Sequence, residues 1–117
     1  MISNQILQNT IDGLKEITRI DLCVLDMEGQ TLASTEKEQE DYAAEAAAFI
    51  SSLADSQVVH GYQFFKVFDE NQLEYILLAK GSSDDVYMVG KLAAFQLSSL
   101  LTAYKERFDK DNFIKNL

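Results

Sequence analysis

The chain has 117 residues, of which 47% are hydrophobic and 25% charged, a size and composition typical of one globular domain. Ten Lys and Arg stand against nineteen Asp and Glu, and the formal net charge of -9 excludes nucleic-acid binding through phosphates as the role of this domain. The sequence shows no leader and no apolar run approaching about 18 residues. We therefore expect a single cytoplasmic domain over residues 1–117, with no membrane contact.

The first half of the sequence predicts a helix, a β-hairpin and a second helix. Apolar residues at steps of three and four predict an amphipathic helix over about Ser3–Thr18. Branched residues in Ile20–Met27 and Gln30–Thr35 predict two strands that are joined by a turn at Gly29. An alanine-rich segment with helical spacing then predicts a helix over roughly Glu40–Ala54.

The second half predicts three strands and a long terminal helix. Val58–Phe68 is dense in Val, Phe and Tyr, and Leu73–Lys80 alternates, so both predict strands of an antiparallel pair. Val86–Gly90 predicts a short fifth strand, and the period becomes helical from Lys91 onward. No cap ends this helix in the sequence, so we expect the native chain to continue past Leu117.

The order α-β-β-α-β-β-β-α predicts an α+β fold, a five-stranded antiparallel sheet with flanking helices. Its parts are a terminal helix over residues 1–18, a sheet over 20–90 that includes the central helix of about 40–54, and a connecting helix over 91–117. The strand after the central helix is expected to lie beside the first or second strand. Apolar residues on both faces of Val58–Phe68 predict that both faces of the sheet are covered.

This layout is shared by the PAS, GAF, profilin and roadblock folds, and one hairpin adds to the resemblance. The segment Leu22–Thr35 has a hydrophobic strand, Asp26-x-x-Gly29, a second hydrophobic strand and Ala33-Ser34. It resembles the hairpin that opens many small-ligand sensor and roadblock domains. The resemblance implies a PAS-like or GAF-like sensor domain, or a roadblock-like scaffold.

A second resemblance lies at the carboxyl end. A Lys-Asp-x-Phe-Ile-x-x-Leu run is similar to the helix that follows the sensor in bacterial transcription regulators of the sugar-diacid and purine-catabolism type; its residues here are Lys110, Asp111, Phe113, Ile114 and Leu117. In such regulators the helix leads to a DNA-binding helix-turn-helix. The resemblance implies a non-catalytic sensory and dimerisation domain that passes a signal through its last helix.

Two sets of residues are candidates for function. A small cavity beneath the central helix would bind a metabolite effector through polar points, with plain core packing as the alternative reading; these are Ser34, His60, Tyr62, Lys66 and Tyr87. An apolar stripe on the last helix would pair with a second copy on a two-fold axis; it comprises Leu97, Leu100, Leu101, Tyr104 and Phe108.

Other chemistry finds little support in the sequence. His60 is the single histidine, and metal sites need three or four ligands at fixed spacing, so neither a metal nor a cofactor is expected. Cys23 is expected to be a small buried hydrophobic residue, since only His60 could act as its base. We therefore expect no enzyme activity. A roadblock-like scaffold or small-GTPase regulator stays open as an alternative to the sensor, and it would pair through its middle helix and edge strand.

Overall fold

The computed structural model describes residues 2–38 and 40–115, of which 106–115 are described by their backbone alone. The elements in chain order are α1 Asn4–Thr18, β1 Leu22–Leu25, β2 Thr31–Ser34, α2 Ala43–Ser51, β3 Ser56–Val59, β4 Tyr62–Asp69, β5 Gln72–Lys80 and α3 Asp84–Lys115. All pairings in the five-stranded sheet are antiparallel, and the strand order is β2-β1-β5-β4-β3. The predicted α+β fold and element order are confirmed.

The hairpin between β1 and β2 has its turn at Gly29, as the sequence predicts. Asp26 accepts hydrogen bonds on its carboxylate from the backbone N–H groups of Glu28 and Gln30, both at 2.9 Å. Gly29 has a φ of 83°, a conformation that glycine adopts without steric cost. A Cβ at Gly29 would lie 2.6 Å from the Cα of Ala43. The glycine therefore serves both the turn and the close approach of the first residue of α2.

The fifth strand is not the one that the sequence predicted. Val86–Gly90 lies inside α3 rather than in a strand, because Ser83 accepts hydrogen bonds from the N–H groups of Val86 and Tyr87 and begins the helix. Asp84 and Asp85 occupy its first turn, where their negative charges interact favourably with the positive end of the helix dipole and stabilise the helix. The connecting helix therefore begins seven residues earlier than the predicted Lys91.

The sheet still has five strands because the region predicted as one strand, Val58–Phe68, forms two, β3 and β4. His60 and Gly61 have φ values of 50° and 80°, the positive pair that a tight two-residue hairpin turn requires. β3 and β4 pair on either side of this turn. β3 lies at the edge of the sheet beside β4 alone, so the prediction that the strand after the central helix joins the first or second strand was wrong.

Helices cover both faces of the sheet. On one face α1 and α3 pack over a core that includes Phe65 and Leu77. On the other face α2 packs over a smaller core that includes Phe64 and Leu78. Alternate residues of β4 and β5 thus enter opposite cores, as expected for strands with two apolar faces.

Within the part of the chain that the structure describes, one helix is long and apolar enough to cross a membrane by length and composition. It is the part of α3 over Asp84–Lys105, in which an 18-residue window has a mean hydropathy of 1.2 and is 28% buried. Its Val86, Ala93 and Leu97 are buried in the core against the sheet. This packing is that of a helix covering a sheet within a globular fold.

Two glycines inside helices should respond to alanine in opposite directions. A Cβ at Gly90 in α3 would overlap the buried ring of Phe65, whereas nothing lies within 4 Å of a Cβ at Gly13 in α1. Overpacking a core costs about 1–3 kcal/mol, so Gly90→Ala should lower the free energy of unfolding measured by urea titration. Gly13→Ala, the matched control, should raise it by about 0.5–1 kcal/mol because alanine favours helices. Equal effects of the two substitutions would contradict the packing of α3 on β4.

Candidate functional site

Two of the five predicted ligand-binding residues meet at one small cavity. It lies between the end of β2, the segment before α2, and the sheet face beneath α2; its lining is Cys23, Ser34, Glu36, Glu40, Tyr42, Tyr62 and Leu78. Its volume is about 10 Å³, which is about the space for one water molecule. Ser34 and Tyr62 therefore come together as predicted, but the space between them is far too small for a metabolite, whose sites have about 300–1,000 Å³.

Aromatic rings and a hydrogen-bond network fill this region. The ring of Tyr42 meets the rings of Tyr62 and Phe64 edge-on, with centroids 5.2 and 6.0 Å apart. Tyr62 donates its phenol hydrogen to Glu36 at 2.6 Å, and Lys80 donates to the other oxygen of Glu36 at 3.1 Å. Burial, followed by the hydrogen bond to Glu36 and its charge, raises the pKa of Tyr62. The phenol thus stays protonated and serves as a fixed donor.

The other three predicted ligand residues lie elsewhere. Lys66 donates to the backbone carbonyl of Ser52, the C-cap residue of α2, at 2.5 Å and places its ammonium 5.1 Å from the ring centroid of Phe49. Its charge therefore interacts with the carboxyl end of that helix. His60 is exposed in the turn between β3 and β4. Tyr87 lies on the opposite face of the sheet, where its ring packs against Phe65.

Sequence reasoning missed the charged and aromatic partners of Tyr62. Glu36 was assigned no role from the sequence, and Tyr42 was placed inside the central helix predicted over roughly Glu40–Ala54. Tyr42 is instead the N-cap residue of α2, and it is buried. No local pattern in the sequence shows that the segment before α2 folds back across β4, so only the tertiary structure reveals this network.

Cys23 lies on the α2 side of β1 and is only 8% exposed. Burial raises the pKa of its thiol to about 11, against the smaller opposing effect of hydrogen bonds with Thr31 and Ser34. The sequence offered one base for this thiol, His60, which stands exposed in the β3–β4 turn. Within the described residues, no group of three or more His, Cys, Asp or Glu side chains could hold a metal ion.

A larger cleft opens beside the start of α1. It has a volume of about 320 Å³ and is lined by Ile2, Asn4, Asp26, Met27, Glu28, Leu32, Glu74 and Tyr75. This volume is at the lower end of the range for small-molecule sites. None of the five predicted ligand residues lines it.

The stripe predicted to pair with a second copy is largely used within the chain. Leu97 and Leu101 are buried against the sheet, and Leu100 and Tyr104 are partly buried against the same core. The prediction that Leu97 and Leu101 form a two-fold interface was therefore wrong, because they already cover β4 and β5. The side chain of Phe108 lies outside the described residues, as do those of the Lys110 to Leu117 motif.

Other apolar residues of α3 face outward. Met88, Leu92 and Phe95 are 62%, 64% and 71% exposed. Their spacing of four and then three residues places them on one side of the helix. The same spacing was present in the sequence, but the prediction of a strand over Val86–Gly90 separated Met88 from the other two.

The buried thiol should react slowly in the native protein. At pH 8 a pKa of about 11 instead of about 8.5 leaves roughly two hundred times less thiolate, the reactive form, and burial reduces access further. We expect iodoacetamide to alkylate Cys23 at least about a hundredfold more slowly in the native protein than in urea, as followed by mass spectrometry. Equal rates in the two conditions would contradict the buried position of this side chain.

No family model and no curated protein matches this sequence. A function is therefore argued from contacts within the chain.

Proposed function

We propose that this chain is a non-catalytic regulatory domain that dimerises and passes a signal through its last helix, as part of a cytoplasmic transcription regulator. One observation carries the proposal: α3 has 32 residues, packs one side on the sheet and leaves an apolar side uncovered. At about 1.5 Å per residue the helix is about 48 Å long, whereas the eight residues of β4 span about 26 Å. The longest dimension of the molecule is 52 Å, close to the length of this helix.

The seating of α3 supports the transmission of a signal. Gly90 brings the helix backbone against the ring of Phe65 on β4, and Ser98 donates a hydrogen bond to the carbonyl of Phe68 at 2.7 Å. Both contacts join α3 to the same strand. A shift of β4 would therefore move the helix as a rigid element, which is a common way for packed helices to transmit conformational change.

A small-molecule effector remains part of the proposal, at a different place from the predicted one. The space between Ser34 and Tyr62 is about 10 Å³, whereas the cleft beside Ile2 and Tyr75 is about 320 Å³. The cleft lies against α1 and β5, both of which share a core with α3. Binding there would act on the elements that hold the last helix.

A roadblock-like scaffold is the second candidate, and one observation favours it. Among the described residues the outer edge of β3 has no partner strand, and two apolar side chains are exposed here, Val58 of β3 and Leu53, three residues before the strand. The outward side of α2 has exposed Ala44, Ala47 and Ala48, small residues that allow close approach of a helix. Pairing through this edge would extend the sheet instead of joining two copies of α3.

The proposal predicts that the chain self-associates. In sedimentation equilibrium we expect a dimer with a dissociation constant in the micromolar range, because one apolar helix face of moderate size is buried. The chain fused ahead of a monomeric helix-turn-helix domain that requires dimerisation should repress a reporter gene in bacteria, whereas the helix-turn-helix domain alone, the control, should not. A chain that stays monomeric up to about 1 mM and gives no repression would contradict the proposed function.

A further inference from the structure

We propose that the outer side of α3 is the surface on which a second copy of this chain docks, with the two helices antiparallel. This inference rests on the dimerisation in the proposed function and names its surface. We call the surface the α3 stripe; it consists of Met88, Leu92, Phe95, Ser99 and Thr102. All five side chains are exposed, and steps of four and three residues keep them on one side of the helix.

The α3 stripe is not an ordinary solvated helix face. One quarter of the residues in the chain are charged, yet Lys91 is the only charged residue from Val86 to Tyr104. The buried side of this segment needs apolar residues to cover the sheet. The exposed side has no such need, and helix faces in water normally carry charged residues. The lack of charge on the exposed side therefore indicates that another surface covers it.

Side-chain size changes along the α3 stripe in a way that suits an antiparallel second copy. Its first half has large residues, ending at Phe95, and its second half has the small residues Ser99 and Thr102. A groove of about 410 Å³ lies beside Phe95 and is lined by Phe95, Ser98, Ser99, Thr102 and Ala103. A two-fold axis near position 97 places Phe95 of each copy opposite the partner's Ser99, and Leu92 opposite the partner's Thr102. Each large side chain then enters a space left by small ones.

A parallel pair would match these residues less well. It would set the two Phe95 rings against each other and the two Ser99 side chains against each other, which crowds one part of the interface and leaves space in the next. Close packing at interfaces resembles that of protein interiors. Both arrangements are isologous, since one patch serves both copies, so the match of side-chain sizes decides for the antiparallel pair.

The charge of the chain favours a second copy over a lipid surface as the partner of the α3 stripe. Helices that lie on membranes are rich in Lys and Arg on the polar side, whereas α3 begins with Asp84 and Asp85 and has a single basic residue, Lys91, from Val86 to Tyr104. The net charge of -9 opposes approach to anionic lipid. Two acidic copies repel each other least where each presents a face with almost no acidic residues, and the α3 stripe is such a face.

Substitution of a stripe residue should separate the two copies without unfolding either. Leu92→Glu and Phe95→Glu place a carboxylate on an exposed helix position, and each should raise the dissociation constant of the dimer at least about thirtyfold in sedimentation equilibrium. Ile17→Glu is the matched control, because Ile17 is 81% exposed and belongs to α1 rather than to the stripe. It should leave the dissociation constant unchanged.

Three results would overturn the inference, and they separate it from the proposed function. A dimer that Leu92→Glu leaves intact and Val58→Glu dissociates would favour pairing through the edge of β3, with dimerisation itself retained. A wild-type chain that stays monomeric would contradict both the docking surface on α3 and the proposed function. Wild-type chain that sediments with phosphatidylcholine or phosphatidylserine vesicles through Leu92, and does not dimerise, would assign the stripe to lipid.

Cysteine cross-linking tests the direction of the helices. In a Cys23→Ala background, Leu92→Cys chains mixed with Thr102→Cys chains should form a disulfide between the two variants on mild oxidation, since the proposed register sets these positions opposite each other. Each variant alone should form far less. Disulfides formed by each variant alone, but not favoured in the mixture, would indicate parallel helices and overturn the antiparallel arrangement.

Discussion

The structure depends on a sheet whose central strands are buried on both faces. Five consecutive residues of β5, from Tyr75 to Ala79, are buried, and alternate ones point into opposite cores. Such a sheet is stable only with cover on both sides. The short helix α2 covers one face with Phe49, while α1 and the much longer α3 cover the other. The inner side of α3 therefore packs against its own sheet and is not accessible to a partner.

The contact between Gly90 and Phe65 then determines what α3 can present to a partner. Because the backbone at Gly90 lies against the ring of Phe65, the rotation of the helix about its axis is fixed. Successive residues turn by about 100°, so Leu92 and Met88 lie roughly opposite Gly90. The core thus sets the direction of the exposed stripe. This is why the leucines that first suggested an interface lie inside and a different set lies outside.

Much of the fold could be predicted from the sequence, and the errors have physical causes. α1 and the hairpin at Gly29 follow from periodicity and from a glycine turn, which are local signals. Val86–Gly90 was assigned to a strand because its residues favour strands and a glycine ends it. The Ser83 cap and the two aspartates after it are local helix signals too, and they outweigh that propensity.

The sites were less predictable than the fold because they depend on distant parts of the chain. Ser34 and Tyr62 were placed together correctly, since the covered face of the sheet follows from strand alternation. Tyr87 was placed with them only because it was assigned to a strand; as a helix residue it lies on the other face. The turn at His60 was missed because a His-Gly pair is a weaker hairpin signal in sequence than the Asn-Gly and Asp-Gly pairs that mark such two-residue turns.

The strong negative charge of the chain and the lack of charge on its last helix together determine how an α3 dimer responds to salt. Each copy has a net charge of -9, so two copies repel each other at distances beyond contact. The stretch from Val86 to Tyr104 supplies one positive charge and no negative one, so contact there depends on apolar burial instead of ion pairs. Salt screens repulsion beyond about 8–10 Å and strengthens burial slightly. An α3 dimer should therefore tighten as salt is added, whereas an interface held by ion pairs would weaken.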